Sequence, residues 1–102
     1  MIKFSVLMSV YYREKASNLV QCFESLLKQT KLADEWVLVL DGPLTHELES
    51  VIEEYASKHQ KLIKVVPLEK NLGLGLALRE GVRHCSYDYI ARMDTDDICL
   101  SE

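Results

Sequence analysis

The sequence predicts an α/β fold, a three-layer, mostly parallel sheet covered by helices on both faces. Three features of the chain carry this. Apolar runs of strand length alternate with stretches whose apolar residues recur at helical spacing, in the order β-α-β-α-β-α-β. The early runs are nearly continuous in apolar residues, as strands buried on both faces are. The segments between them are long enough for crossover helices, which makes neighbouring strands parallel and the crossovers right-handed. With 102 residues and 48% hydrophobic content, the chain is one domain or part of one, with a real core.

The first run, Lys3–Tyr11, has strand length. A helical pattern follows, with Ala16, Leu19, Val20, Phe23, Leu26 and Leu27 on one face, ending near Thr30. Glu35–Leu40 is the second strand, stopped by the turn signal Asp41-Gly42-Pro43. Thr45 is placed to cap a second helix whose inner face is Leu48, Val51, Ile52, Tyr55 and Ala56. Leu62–Val66 is the third strand, with Pro67 confined to its end. Asn71-Leu72-Gly73 opens a third helix over roughly Gly75–His84. A last strand, the seven residues from Tyr87, runs into Asp94-Thr95-Asp96-Asp97. The result is Rossmann-like.

Composition narrows the function classes. A net charge of −4 provides no basic footprint for nucleic acid or an anionic membrane. The three cysteines, Cys22, Cys85 and Cys99, form no close pair and suit a reducing compartment as small buried residues. Phe4–Tyr12 is too short and too polar-flanked to span a membrane, and no small-residue cleavage site follows. The expected location is cytoplasmic, with the inner face of the membrane as the alternative for a full-length protein.

In parallel sheets, ligands sit beyond the carboxyl ends of the strands, where strand order reverses. Those ends carry Tyr11-Tyr12, Asp41 and the acidic segment. Three carboxylates within four positions repel by roughly 1–4 kcal/mol per pair at about 4 Å. A divalent cation would reverse that, and oxygen-only ligands suit Mg²⁺ or Mn²⁺. Each feature also has a plainer reading. The acidic segment suits a solvated turn with Asp97 capping a helix, Tyr11 suits strand-end packing, and Asp41 suits a turn-former. Their convergence on one edge favours a ligand site. Aromatic faces stack on a base, a carboxylate accepts from base N–H or ribose hydroxyl groups, and a metal bridges diphosphate oxygens. A nucleoside diphosphate carrying a transferable group meets all three.

Four segments, in order, resemble family-2 glycosyltransferases of the GT-A fold. Phe4–Tyr12 resembles the family's first strand, which usually ends Pro-Val-Tyr-Asn. Val37–Pro43 resembles the strand ending Asp-Asp-Gly-Ser, Asn71–Gly81 the Asn-x-Gly-led helix, and Tyr89–Asp97 the Asp-x-Asp metal segment. The resemblance implies that Tyr11 lies against the base, that Asp41 binds base or ribose, and that Asp94 contacts the ribose or the metal shell. It implies that Asp96 holds Mn²⁺ or Mg²⁺ on the diphosphate, with Asp97 sharing the metal or bracing the loop. The implied donor is a UDP-sugar, and the implied acceptor a glycan or lipid of bacterial polysaccharide synthesis. There are departures. Ser9 replaces the common Pro, Tyr12 stands where Asn is usual, and Leu40 replaces the first acid of Asp-Asp-Gly-Ser. Leu78 and Arg79 stand in place of the frequent Ala-Arg-Asn run, and Arg79 is expected to reach solvent.

An inverting transfer also needs a general base for the acceptor hydroxyl. The resemblance puts it downstream, so residues 1–102 are expected to be a truncated donor-binding part, with the acceptor half absent and little activity alone. Uncovered apolar surface and an open strand edge predict self-association. Other classes fit less well. A dinucleotide site needs Gly-x-Gly-x-x-Gly after the first strand, whereas Gly73-x-Gly75 comes late with Leu78 in the third position. An aspartyl-phosphate phosphatase needs its acids early and Thr where Ile98 stands. His46, His59 and His84 fall on or beside helices as surface residues. A non-catalytic α/β binding or interaction module is the strongest alternative.

Overall fold

The computed structural model describes residues 3–29 and 33–93. Seven elements follow in the expected order: β1 (Phe4–Val10), α1 (Ala16–Leu27), β2 (Glu35–Leu40), α2 (His46–Lys58), β3 (Ile63–Pro67), α3 (Leu74–His84) and β4 (Tyr89–Arg92). The strands form a parallel sheet in the order β3-β2-β1-β4. The chain steps outward from β1 to β2 to β3, then returns across the sheet to β4. Right-handed crossovers therefore put α1 and α2 on one face and α3 on the other. That is the arrangement found: α1 packs on α2, and α3 packs on β1 and β2 from the opposite side.

Strand alternation sorts the core into two halves. Val6, Met8 and Val10 of β1, with Trp36 and Leu38 of β2, meet Leu19, Cys22 and Phe23 of α1 and Leu48 and Ile52 of α2. Phe23 stacks on Trp36 with ring centres 5.5 Å apart and planes 26° from parallel. The intervening residues Leu7, Val37 and Val39 face Ala77 of α3. Burying each large side chain contributes about 1.5–3 kcal/mol before ordering costs. β1 and β2 have no wet face, which is why they read as apolar runs.

The element boundaries depart from expectation in understandable ways. Thr45 caps α2 as expected, its Oγ1 accepting from Leu48 N–H at 3.2 Å. α1 stops at Leu27 rather than near Thr30, because its last turn tightens: Lys28 N–H donates to both Glu24 and Ser25 carbonyls. β3 is shifted by one residue, with Pro67 at its last position. β4 begins at Tyr89 rather than Tyr87, because Tyr89 pairs with Phe4, the first residue of β1. All four residues of β4 are exposed, so cover on both faces holds for β1 and β2 but not for this edge strand. Cys22 is buried and Cys85 partly so, while Cys99 lies outside the described residues.

Candidate functional site

The carboxyl ends of β1 and β2 open into a cavity of about 580 Å³, lined among others by Ser9, Tyr11, Arg13, Lys15, Asn18, Asp41, Asn71 and Gly73. The fold thus brings Tyr11 and Asp41, 30 positions apart in sequence, to one cavity. It lies at the predicted edge. Asp94, Asp96 and Asp97 lie outside the described residues. The last residue before them, Met93, is buried and donates its N–H to the Leu7 carbonyl at 3.0 Å, holding the end of β4 alongside β1. No group of three or more His, Cys, Asp or Glu suited to a metal occurs among the described residues.

Asp41 does more than turn the chain. Its N–H continues the sheet by donating to the Val10 carbonyl at 2.7 Å. Asp41 as a residue is 3% exposed, and its carboxylate accepts from Leu72 N–H at 2.7 Å and Gly73 N–H at 3.1 Å, one on each oxygen. The Asn71 amide returns a bond to the Asp41 carbonyl at 3.2 Å. Gly42 makes the close approach between these loops: at φ +89° a Cβ there would meet Asn71 N at 2.6 Å. The loop after β2 and the loop before α3 are therefore one locked wall. Each Asp41 oxygen carries a second lone pair beyond the bond it accepts. Sequence reasoning saw Asp41 and Asn71 separately; their pairing depends on β2 and β3 being neighbours.

Tyr11 is 42% exposed, and Tyr12 meets it edge-on with ring centres 5.9 Å apart. The turn beyond is closed by Glu14 N–H donating to the Tyr11 carbonyl at 3.1 Å. Arg13 folds over Tyr12, its Nε donating to the Tyr12 hydroxyl at 3.1 Å and its guanidinium 5.6 Å from the ring centre. Arg79 is exposed, as expected. The sequence reading missed Arg13, Lys15 and Asn18. A usable signal was present: the α1 N-cap position holds Lys15, not a capping residue, and no acid occupies the first turn.

A second polar network sits at the opposite, amino edge of the sheet. Glu35 accepts from the Ser5 hydroxyl at 2.9 Å and from the Ser86 N–H and hydroxyl, each at 2.8 Å, with Lys64 Nζ at 3.6 Å. Burial pushes its carboxyl pKa up. The Ser86 and Ser5 bonds and Lys64 outweigh that and hold it below the ordinary 4.5. The neighbouring Cys85 thiol is pushed up by burial and by the Glu35 charge, the opposite of an activated nucleophile. This network ties β1, β2, β3 and the loop before β4 together, away from the cavity.

A family model described as "Glycosyl transferase family 2" matches residues 5–102. The chain belongs to glycosyltransferase family 2. This family-2 chain is 56% identical over 99 residues to "Amylovoran biosynthesis glycosyltransferase AmsE" of Erwinia amylovora, covering 97% of itself and 36% of that relative. It is 42% identical over 96 residues to "UDP-Gal:alpha-D-GlcNAc-diphosphoundecaprenol beta-1,3-galactosyltransferase" of Escherichia coli, covering 94% of itself and 34% of that protein. Among solved structures it is similar to S. aureus TarS 1-349 in complex with UDP-GlcNAc, with a TM-score of 0.77 and 28% identity. That match covers 95% of this chain and 27% of the TarS chain. The glycosyltransferase chain thus spans about a third of the length of these curated relatives. Its Rossmann-like sheet is the GT-A type that the sequence implied.

Proposed function

We propose that residues 1–102 form the donor-binding part of a glycosyltransferase that takes a UDP-sugar and passes the sugar to a glycan or lipid acceptor in bacterial polysaccharide synthesis. The observation that carries this is the cavity at the carboxyl edge of a family-2 chain, which an exposed tyrosine face and a fixed carboxylate both line. Support for the nucleotide comes from TarS, solved with UDP-GlcNAc, and from the E. coli relative named for UDP-Gal. Tyr11 supplies a face for the base, and Asp41 supplies its remaining lone pairs to a base N–H or a ribose hydroxyl.

Asp96, with Asp94 and Asp97, would hold Mn²⁺ or Mg²⁺, since an all-carboxylate donor set is the chemistry such hard cations take. When bound, the cation neutralises the charge of the departing diphosphate. This chain's own part is binding and orientation: the locked Asp41–Asn71 wall holds the cavity in shape before the donor arrives. We assign the inverting reaction's general base to no residue of 1–102. The proposed location is the cytoplasm; no helix among the described residues is long and apolar enough to cross a membrane.

Calorimetric titration of the chain with UDP, with and without Mn²⁺, tests the proposal. Saturable heat that strengthens with Mn²⁺ is expected. Silence under both conditions would leave a non-catalytic binding module as the better description.

A further inference from the structure

We propose that Met8, Cys22 and Met93 form a buried three-sulfur site for a soft monovalent cation, Cu(I), in the core beside β4. None of the three lines the carboxyl-edge cavity, and the site does not depend on the donor-binding reading. Met8 belongs to β1 and Cys22 to α1, while Met93 follows β4, so three separate elements deliver one sulfur each. The Cys22 Sγ lies 3.9 Å from the Met8 Sδ and 3.8 Å from the Met93 Sδ. Met8 and Met93 are the chain's only methionines after Met1, and both meet the same thiol. Cys22 and Met8 are fully buried, and Met93 nearly so.

A buried thiol beside thioethers is also ordinary core filling, and packed sulfurs come to similar distances. The donor set favours a cation. The thiol carries one proton, which points at only one of the two thioethers at a time, whereas an ion between the three sulfurs serves both. Thiolate and thioether are the soft donors that select Cu(I). With metal–sulfur bonds of about 2.3 Å, tetrahedral and trigonal-planar sets space their sulfurs about 3.8 Å and about 4.0 Å apart, which brackets both separations here. Charge then decides the ion. On binding, the Cys22 S–H bond breaks, its proton passes to solvent water, and a Cu–S bond forms. One Cu(I) and one thiolate leave no net charge among apolar neighbours such as Val6, Leu19 and Phe23. Zn²⁺ would leave one positive charge uncompensated there. A cavity of about 200 Å³, lined among others by Phe4, Val6 and Leu26, adjoins Met93, the least buried of the three, and gives the ion an approach.

The test uses the whole 102-residue chain with Cys85→Ser and Cys99→Ser, so that Cys22 is its only thiol. Cu(I) is titrated against bicinchoninate without oxygen. One Cu(I) per chain should bind and raise the thermal midpoint, as a ligand of the folded state does. Zn²⁺ should do neither. Met8→Leu and Met93→Leu nearly conserve volume, so folding should survive. Each should weaken Cu(I) by at least about tenfold, the lower end of what losing a residue that merely supports a metal ligand costs. X-ray absorption at the copper edge reads the donors without any core variant, and three sulfur neighbours are expected. A single sulfur completed by nitrogen or oxygen would overturn the proposal. So would Cu(I) affinity unchanged in both Leu variants, Zn²⁺ bound as tightly, or a chain that takes no Cu(I) from bicinchoninate.

Discussion

Glu35 and Asp41 bracket β2 and are both buried carboxylates satisfied by backbone N–H groups, yet they serve different ends. Glu35 belongs to stability. Its pKa is held below the ordinary 4.5, so folding favours the ionised form. The stability it contributes is fully present above that ordinary value and is lost as pH falls through the lower folded value. Glu35→Gln should cost about 2 kcal/mol at pH 7, because an amide meets donors from Ser5 and Ser86 where a charge did before. Below pH 4.5 the gap between wild type and variant should narrow, read by urea denaturation across that range. Equal gaps at pH 7 and pH 3 would contradict an ionised Glu35. None of this was visible in the sequence, where Glu35 is only the first residue of a strand; its partners lie 30 and 51 positions away. Asp96 lies outside the described residues, and the sequence alone proposes it as a cation ligand, one of three acids after a strand. Asp96→Asn keeps one acceptor oxygen but removes the charge a cation needs. Mn²⁺-dependent UDP affinity should collapse while the thermal midpoint stays level or rises, because a like charge leaves a crowded cluster. A midpoint lowered by the equivalent of about 0.5–2 kcal/mol, with nucleotide binding intact, would make Asp96 a cap instead.

At the scale of elements, periodicity was enough to order all seven, because the helices and β1 to β3 announce their buried faces within their own residues, and Tyr89 and Ile90 supply β-favouring bulk in β4. What periodicity does not contain is pairing between loops. Asp41-Gly42-Pro43 reads as a turn and Asn71-Leu72-Gly73 as a helix start, and only the β3-β2 adjacency presses one against the other. Two glycines at positive φ separate this contact from simple conformational cost. Gly42 and Gly73 sit at φ +89° and +92°, so Ala at either should cost about 1–3 kcal/mol in backbone strain. Only at Gly42 does the added Cβ also strike the Asn71 backbone; at Gly73 it meets nothing within 4 Å. Gly42→Ala should therefore be the more destabilising in denaturant titration, and should weaken UDP binding as the wall shifts. Equal losses would mean that the two loops can part at little cost, and that the wall is not locked.

Taken as a whole, the molecule is covered unevenly. β1 is flanked by strands on both sides and buried on both faces, whereas β4 pairs only with β1 among the described residues and exposes all four of its side chains. Tyr89 is 61% exposed and Ile90 36%, so this edge, which pairs with no second strand among the described residues, shows apolar side chains. An open edge of this kind templates pairing with another strand. The chain should therefore self-associate, with light scattering showing a mass that rises with concentration. The edge strand makes a sharper claim than the mass alone. Ile90→Lys and Tyr89→Lys each place a charge that an approaching strand would have to bury, as natural edge strands do when they block pairing. Neither residue is in the core, so folding should survive while association weakens. Both variants should remain monomeric at concentrations where wild type does not, with thermal midpoints measured in dilute solution close to the parent. Association that persists unchanged in both would move the contact to another surface. A wild type that stays monomeric at high concentration would mean that four short strand residues are too few to recruit a partner.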